Sequence, residues 1–179
     1  MRLRDWRPAP PAGELRSISL HWTAGDYEAV FPAYHFCLRG VSEIEVVQTH
    51  DLRANMRDLR ADPSEPYAAH TLGRNSWSIG IAVCGMGGAR PSDFGSYPLT
   101  AAQIDALCVV ARGLADAYAI PLAAIRTHAE AALEDGYFGA GDDDLRWDIA
   151  RLEARAEPLE EREAVLTGDV LRARIAAVR

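Results

Sequence analysis

The sequence predicts a single α/β domain with a mixed central β-sheet flanked by helices. Three observations carry this. A chain of 179 residues that is 49% hydrophobic can bury one sizeable core. Two largely apolar runs, residues 15–21 and 77–83, read as buried strands. Beyond them the period changes: Ile104, Leu107, Cys108, Ala111, Leu114 and Ala115 form one stripe of a helix.

Taken in order, residues 1–14 hold Trp6, Pro8, Pro10, Pro11 and Gly13 and predict an extended lead-in. The strand at 15–21 is expected to be central, because its apolar residues run directly into His21. Residues 26–31 suit a short helix capped by Asp26. Residues 33–38 and 42–48 read as two strands of a hairpin around Arg39-Gly40-Val41. Residues 50–75 show no period and predict a long loop with helical fragments. After the strand at 77–83, the Gly- and Pro-rich stretch 85–98 is loop. A helix then spans 100–118, with Thr100 as cap and Gln103 at the capping-box position. Pro121 breaks it, 123–127 leads into His128, and 131–144 is expected to be a flexible approach to Asp148. From Asp148 the chain is expected to be helical again, charged and solvated over 150–164. A terminal amphipathic helix follows, capped near Thr167 or Asp169. The expected division is a lead-in at 1–14, the main domain at 15–150 and a helical appendix at 151–179 packed on it. There are no internal repeats.

Composition excludes several functions. The net charge is -7, so no basic stripe exists to neutralise nucleic-acid phosphates. No apolar stretch approaches the ~18–20 residues that cross a bilayer. The first eight residues are charged and proline-containing, and no hydrophobic signal core follows, so the chain is expected to begin in the cytoplasm. Every basic side chain is arginine. No lysine is present to act as a general acid or cationic clamp. Cys37, Cys84 and Cys108 lack metal-ligand spacing and read as buried thiols. A thiol hydrolase built on Cys37 or Cys84 would need a helix N-terminus to stabilise the thiolate, and neither residue has one.

Three residues stand out as candidate metal ligands. His21 and His128 each end an apolar run, and Asp148 lies in Arg146-Trp147-Asp148-Ile149 beyond a Gly- and Asp-rich loop. Two neutral imidazoles and one carboxylate on zinc leave a fourth tetrahedral position for water, which is a hydrolytic arrangement. Spacing alone is weak support, since no compact metal motif such as H-E-x-x-H occurs.

The surrounding text adds weight. His21-Trp22-Thr23-Ala24, Tyr34-His35-Phe36, Asn75 followed by Ser78-Ile79-Gly80-Ile81, Leu99-Thr100-Ala101-Ala102-Gln103 and Thr127-His128-Ala129-Glu130 occur in that order. Over about residues 17–150 the chain resembles the zinc amidases of the peptidoglycan-recognition and phage-lysozyme superfamily, the N-acetylmuramoyl-L-alanine amidases. The resemblance implies their mixed-sheet fold, one Zn²⁺ per chain held by His21, His128 and a third ligand, and peptidoglycan or a muropeptide as substrate. It implies cleavage of the amide between N-acetylmuramic acid and L-alanine, by a phage- or prophage-type lysin or by a muropeptide amidase. Many members place the third ligand before a Pro-Gly pair that this chain lacks. Asp148 is preferred because a branch of the family has a basic residue, an aromatic and Asp here, and because Trp147 and Ile149 would bury the backbone; Asp144 is the alternative. For proton handling the family uses a Glu, where this chain has Ala82, or a Tyr matched by Tyr34. Arg146 stands where the family has a lysine and would stabilise the oxyanion as a fixed cation. His70 and Asn75 fall at the family's substrate rim, and His35 is grouped with them or placed behind a ligand as an orienting group. Glu130 is expected to pair with an arginine or a ligand's N–H. Two other classes remain open: a non-catalytic peptidoglycan-binding module and the thiol amidase. Nothing in the sequence sets an oligomeric state.

Overall fold

A computed structural model describes residues 1–62, 64–139 and 146–179. Five strands, β1 (Ser17–Trp22), β2 (Phe36–Arg39), β3 (Glu45–Gln48), β4 (Ser78–Val83) and β5 (Ile125–Thr127), form one mixed sheet in the order β3-β2-β4-β1-β5. β1 is parallel to β4 and β5, and β2 is parallel to β4, while β2 and β3 form an antiparallel hairpin. Among the described residues three α-helices accompany the sheet: α1 (Ala101–Tyr118), α2 (His128–Glu134) and α3 (Glu161–Ala177). No helix among the described residues is long and apolar enough to cross a membrane.

Register decides which face of the sheet does what. Ile18, Leu20 and Trp22 pair with Ile79, Ile81 and Val83, so the large apolar side chains share one face. That face joins Leu107, Ala111 and Leu114 of α1 and Leu171 and Ile175 of α3 in the main core. Each buried Leu or Ile there contributes roughly 1.5–3 kcal/mol. The alternate residues, Ser17, Ser19 and His21 beside Ser78, Gly80 and Ala82, make the other face shallow. His70 fills part of that depression: a Cβ on Gly80 would stand 2.5 Å from its Cγ.

The aperiodic segment that carries His70 is held by side-chain bonds instead of a ladder. Asn55 is fully buried. Its Nδ2 donates to the carbonyls of Ala68 (2.9 Å) and Asn75 (2.8 Å), and its Oδ1 accepts from the Ala68 amide at 2.9 Å. At the start of α1, Thr100 and Gln103 close the expected capping box. Gln103 Nε2 also donates to the carbonyls of Gly40 and Cys84, which ties the helix to the sheet.

Several elements differ from expectation. Residues 26–31 form turns, not a helix, because the Asp26 carboxylate takes the Glu28 amide (2.9 Å) and no helical ladder follows. β2 starts at Phe36 instead of 33, because residues 32–35 turn, and runs to Arg39; β3 starts at Glu45 instead of 42, since the chain turns through Gly40 (φ 97°) and stays irregular up to it. Residues 131–134 are not a flexible approach; they continue α2, which starts directly after β5 on a Thr127–Glu130 capping box. Residues 135–139 are turns without a ladder, and 140–144 lie outside the described residues. Residues 148–160, expected to be helical, are turns and irregular chain. Arg151, 2% exposed, draws in the carbonyls of Pro91, Arg155, Glu157 and Pro158 and pairs with Glu163. α3 is capped by Glu160 with Glu163, not by Thr167 or Asp169. Thr167 donates to the Ala150 carbonyl instead (2.7 Å).

Candidate metal centre

His21 is the fifth residue of β1 and His128 is the first of α2. The two arrive side by side because β1 and β5 are parallel neighbours. Asp148 comes from the turn after residue 146 and is fully buried. Its carbonyl accepts the Ala129 amide (2.9 Å), and its Oδ1 accepts the Trp22 amide (2.8 Å). Trp147 packs on Trp22 with ring centroids 4.6 Å apart. The next residue, Ile149, is β-branched and fully buried yet has φ 58°. Such a conformation costs of order 1–3 kcal/mol, so the surrounding packing imposes it and with it the position of the carboxylate.

Asp148 Oδ2 lies 3.1 Å from His21 Nδ1 and 3.5 Å from His128 Nδ1. Candidate donor atoms of all three residues fall within 4.8 Å of one another. Metal–ligand bonds of about 2.0–2.1 Å in a tetrahedron separate ligand atoms by about 3.3 Å, between the two carboxylate–imidazole distances. A buried carboxylate calls for a compensating cation. Burial holds His21 below the ordinary imidazole pKa while its bond to Asp148 pulls the other way. A neutral imidazole is the form that ligates. The set therefore fits a divalent metal such as zinc, and His128, 17% exposed at its side chain, is where it meets the outside.

It opens on a cleft of 590 Å³, within the usual range for small-molecule sites. His128, His70, Asn75, Arg146, Tyr67 and Tyr137 line it. Three expected site residues, His70, Asn75 and Arg146, thus share one cavity with His128. Asn75 also works on its own loop: Oδ1 accepts the amides of His70 (3.0 Å) and Thr71 (2.8 Å). His70 is held well below the ordinary imidazole range by burial, with His21 and His35 adding to the shift.

Tyr34 and His35 precede β2 and sit elsewhere. The Tyr34 ring packs on His21, centroids 5.1 Å apart, and its hydroxyl donates to the Trp22 carbonyl at 3.1 Å. It clusters with Cys37, Ala82 and Cys84, all three fully buried. His35, expected beside His70 and Asn75, does not line the cleft. It is fully buried, accepts the Gly80 amide on Nδ1 (3.0 Å), and is pushed down to about 3 by burial and by His50. Glu130 pairs with Arg172 (2.8 Å) and closes the α2 capping box.

Thr71, Arg74 and Tyr137 escaped the sequence reading. For Tyr137 a signal existed in Asp135-Gly136. Gly136 has φ 77°, its amide bonds to the Leu133 carbonyl and that of Tyr137 to Ala132, the C-terminal motif in which glycine ends a helix. The motif delivers the Tyr137 ring to 6.1 Å from His128. Arg74 ties the two lips of the cleft, bonding Asp135 (2.6 and 2.7 Å) and Glu134 (2.7 Å). The Asp135 carboxyl is lowered by its bond to Arg74; at Glu134 burial opposes, but Arg74 and Arg126 outweigh it. Carboxylates lowered in the folded state stabilise fully above their ordinary values of 3.8 and 4.5, and this is lost as pH falls through the lower folded values. Arg74→Ala is therefore expected to cost about 1 kcal/mol near pH 7, the small figure reflecting solvent screening, and less near pH 3. Unfolding midpoints of both chains at the two pH values check this; an equal difference at both would contradict it.

No curated protein matches the chain. Among solved structures, the crystal structure of AmpDH3 from Pseudomonas aeruginosa matches at 20% identity and a TM-score of 0.47, covering 78% of this chain and 58% of that one. This chain thus spans a little over half the length of that protein. The sequence profile of the N-acetylmuramoyl-L-alanine amidases matches residues 11–143, well over half of the chain. The chain belongs to the N-acetylmuramoyl-L-alanine amidase family.

Proposed function

We propose that the protein is a zinc-dependent amidase that hydrolyses the bond between N-acetylmuramic acid and L-alanine in peptidoglycan or in soluble muropeptides. The observation that carries the reading is the His21–His128–Asp148 group, buried except at His128, beside an open cleft. Zinc held there would supply a Lewis acid for the amide carbonyl and a water acidic enough to attack it at neutral pH. The chain's own residues supply the rest. Arg146 is a fixed cation on the cleft wall, suited to stabilising the carbonyl oxygen as negative charge develops on it. His70 and Asn75 shape the wall against which the substrate lies. Tyr34 acts through His21, its hydroxyl being engaged by the Trp22 carbonyl. Ala82 cannot serve as a base, and that one feature favours a second reading, a peptidoglycan-binding module without catalysis.

Metal analysis of the purified chain, with stem-peptide release from sacculi and from soluble muropeptides, separates the readings. One zinc per chain, and release that a chelator stops and zinc restores, is the expected result. The faster of the two substrates identifies the physiological class, a wall-degrading lysin or a muropeptide amidase. A chain that binds peptidoglycan but neither holds zinc nor releases peptide when zinc is added would establish the binding module.

A further inference from the structure

Thr71 belongs to no catalytic motif, yet its side chain, 1% exposed, lies between two imidazoles. Its Oγ1 is 3.2 Å from His21 Nε2 and 2.9 Å from His70 Nδ1. On the far side of His21, Nδ1 is 3.1 Å from Asp148 Oδ2. Asp148, His21, Thr71 and His70 therefore form a continuous chain of hydrogen-bonding groups, from the buried carboxylate to the cleft wall. A threonine hydroxyl has one hydrogen to give and lone pairs to accept with, and a neutral imidazole has one N–H and one lone pair. Such a chain can run in two directions. In one, His21 Nδ1–H donates to Asp148, the Thr71 hydroxyl donates to His21 Nε2, and His70 Nδ1–H donates to Thr71. In the other, every bond beyond Asp148 reverses: His21 Nε2–H donates to Thr71 and the Thr71 hydroxyl donates to His70 Nδ1. Only the second leaves a lone pair on His21 Nδ1, facing Asp148 Oδ2.

We infer that Thr71 is a positioning residue for the metal centre: its hydroxyl, oriented by His70, holds His21 in the tautomer whose Nδ1 is free to ligate. The inference rests on the zinc reading above. The hydroxyl is well placed for the task because its surroundings are braced. Asn75 clamps the amides of His70 and Thr71, and the Arg74 amide bonds to the Thr71 carbonyl at 3.1 Å. The His70 ring is seated where Gly80 has no side chain. A ligating histidine ordinarily gives its second N–H to an acceptor that fixes tautomer and ring angle. Here the acceptor is a neutral hydroxyl, so the partner adds no charge to the centre.

Thr71→Val keeps the branched shape and removes the hydroxyl, whereas Thr71→Ser keeps the hydroxyl and removes the methyl. Zinc affinity, measured by competition with a chromophoric chelator, is expected to fall about 10–100-fold for the valine variant and to stay within about threefold of wild type for serine. Circular dichroism of the metal-free chains checks that both fold. A second measurement needs no variant: ring ¹⁵N shifts of zinc-loaded wild type should show the His70 proton on Nε2 and a bare Nδ1. Valine affinity equal to wild type, serine as weak as valine, or a His70 proton on Nδ1 in the loaded protein would each overturn the inference. Failure of wild type to bind zinc would instead remove the amidase reading on which it rests, and the inference with it.

Discussion

Asp148→Ala is expected to abolish stoichiometric zinc and, with it, amide hydrolysis. The carboxylate is the buried group between His21 and His128, so its loss should weaken zinc by more than the 10–100-fold typical of removing an outer partner. The substitution also strips the Trp22 amide of its acceptor, and a buried unpaired N–H costs about 1–3 kcal/mol. Asp148→Asn separates the two effects, because an amide oxygen can still accept from Trp22 while the carboxylate charge is gone. Expected are zinc loss in both variants and a larger fall in the unfolding midpoint for alanine. Elemental analysis and thermal unfolding of the metal-free proteins check the two halves. A variant that keeps one zinc per chain would move the third ligand to another carboxylate, Asp144 first, a residue outside the described part of the structure.

Gly168→Ala should destabilise the protein even though alanine favours helix over glycine by about 1 kcal/mol. Gly168 lies within α3, and a Cβ there overlaps the Glu130 carboxyl carbon and both its oxygens. Glu130 has little freedom to retreat. It is 5% exposed, it accepts the Thr127 amide at 2.9 Å, and Arg172 donates to its two oxygens at 3.0 and 2.8 Å. Breaking a buried pair costs about 3–5 kcal/mol, so the net loss is roughly 2–4 kcal/mol. For a chain of this size that lowers Tm by about 5–15 °C. An unchanged or raised Tm would show that Glu130 relocates at no cost. The same clash loosens the capping box from which α2, and therefore His128, begins.

The elements read from the sequence are those whose signal is local. α1 carries its own capping box and a stripe of apolar residues, and both appear in the structure. β1 and β4 are runs in which every second residue is large and apolar, and their pairing follows that alternation. α2 was illegible because seven residues are too few for a helical period to show, and its stability comes from a box closed onto β5 and from Arg172 of α3. The start of α3 was misplaced because glutamate at Glu160 is not among the preferred caps, whereas Thr167 and Asp169 are. In the site, the three candidate ligands and His70, Asn75 and Arg146 were placed by their motifs. The role of Thr71 was not legible although it adjoins His70, since its partner His21 is fifty residues away in sequence, and no spacing encodes a bond that the sheet creates. Tyr34 was placed by its motif, but the fate of its hydroxyl depends on the Trp22 carbonyl across the fold.

The shallow face of the sheet bears on how this chain differs from its relatives. Ala82 sits beside His21 in register and is sealed under Tyr34, Cys37 and Cys84. A glutamate grafted there would have to push aside Tyr34, Cys37 and Cys84, all buried. The small residue and the occupied tyrosine hydroxyl are thus one architectural choice. The titratable side chains that already face the cleft are those of His70 and Tyr137, so a group for moving protons is nearer to hand on that wall than at Ala82.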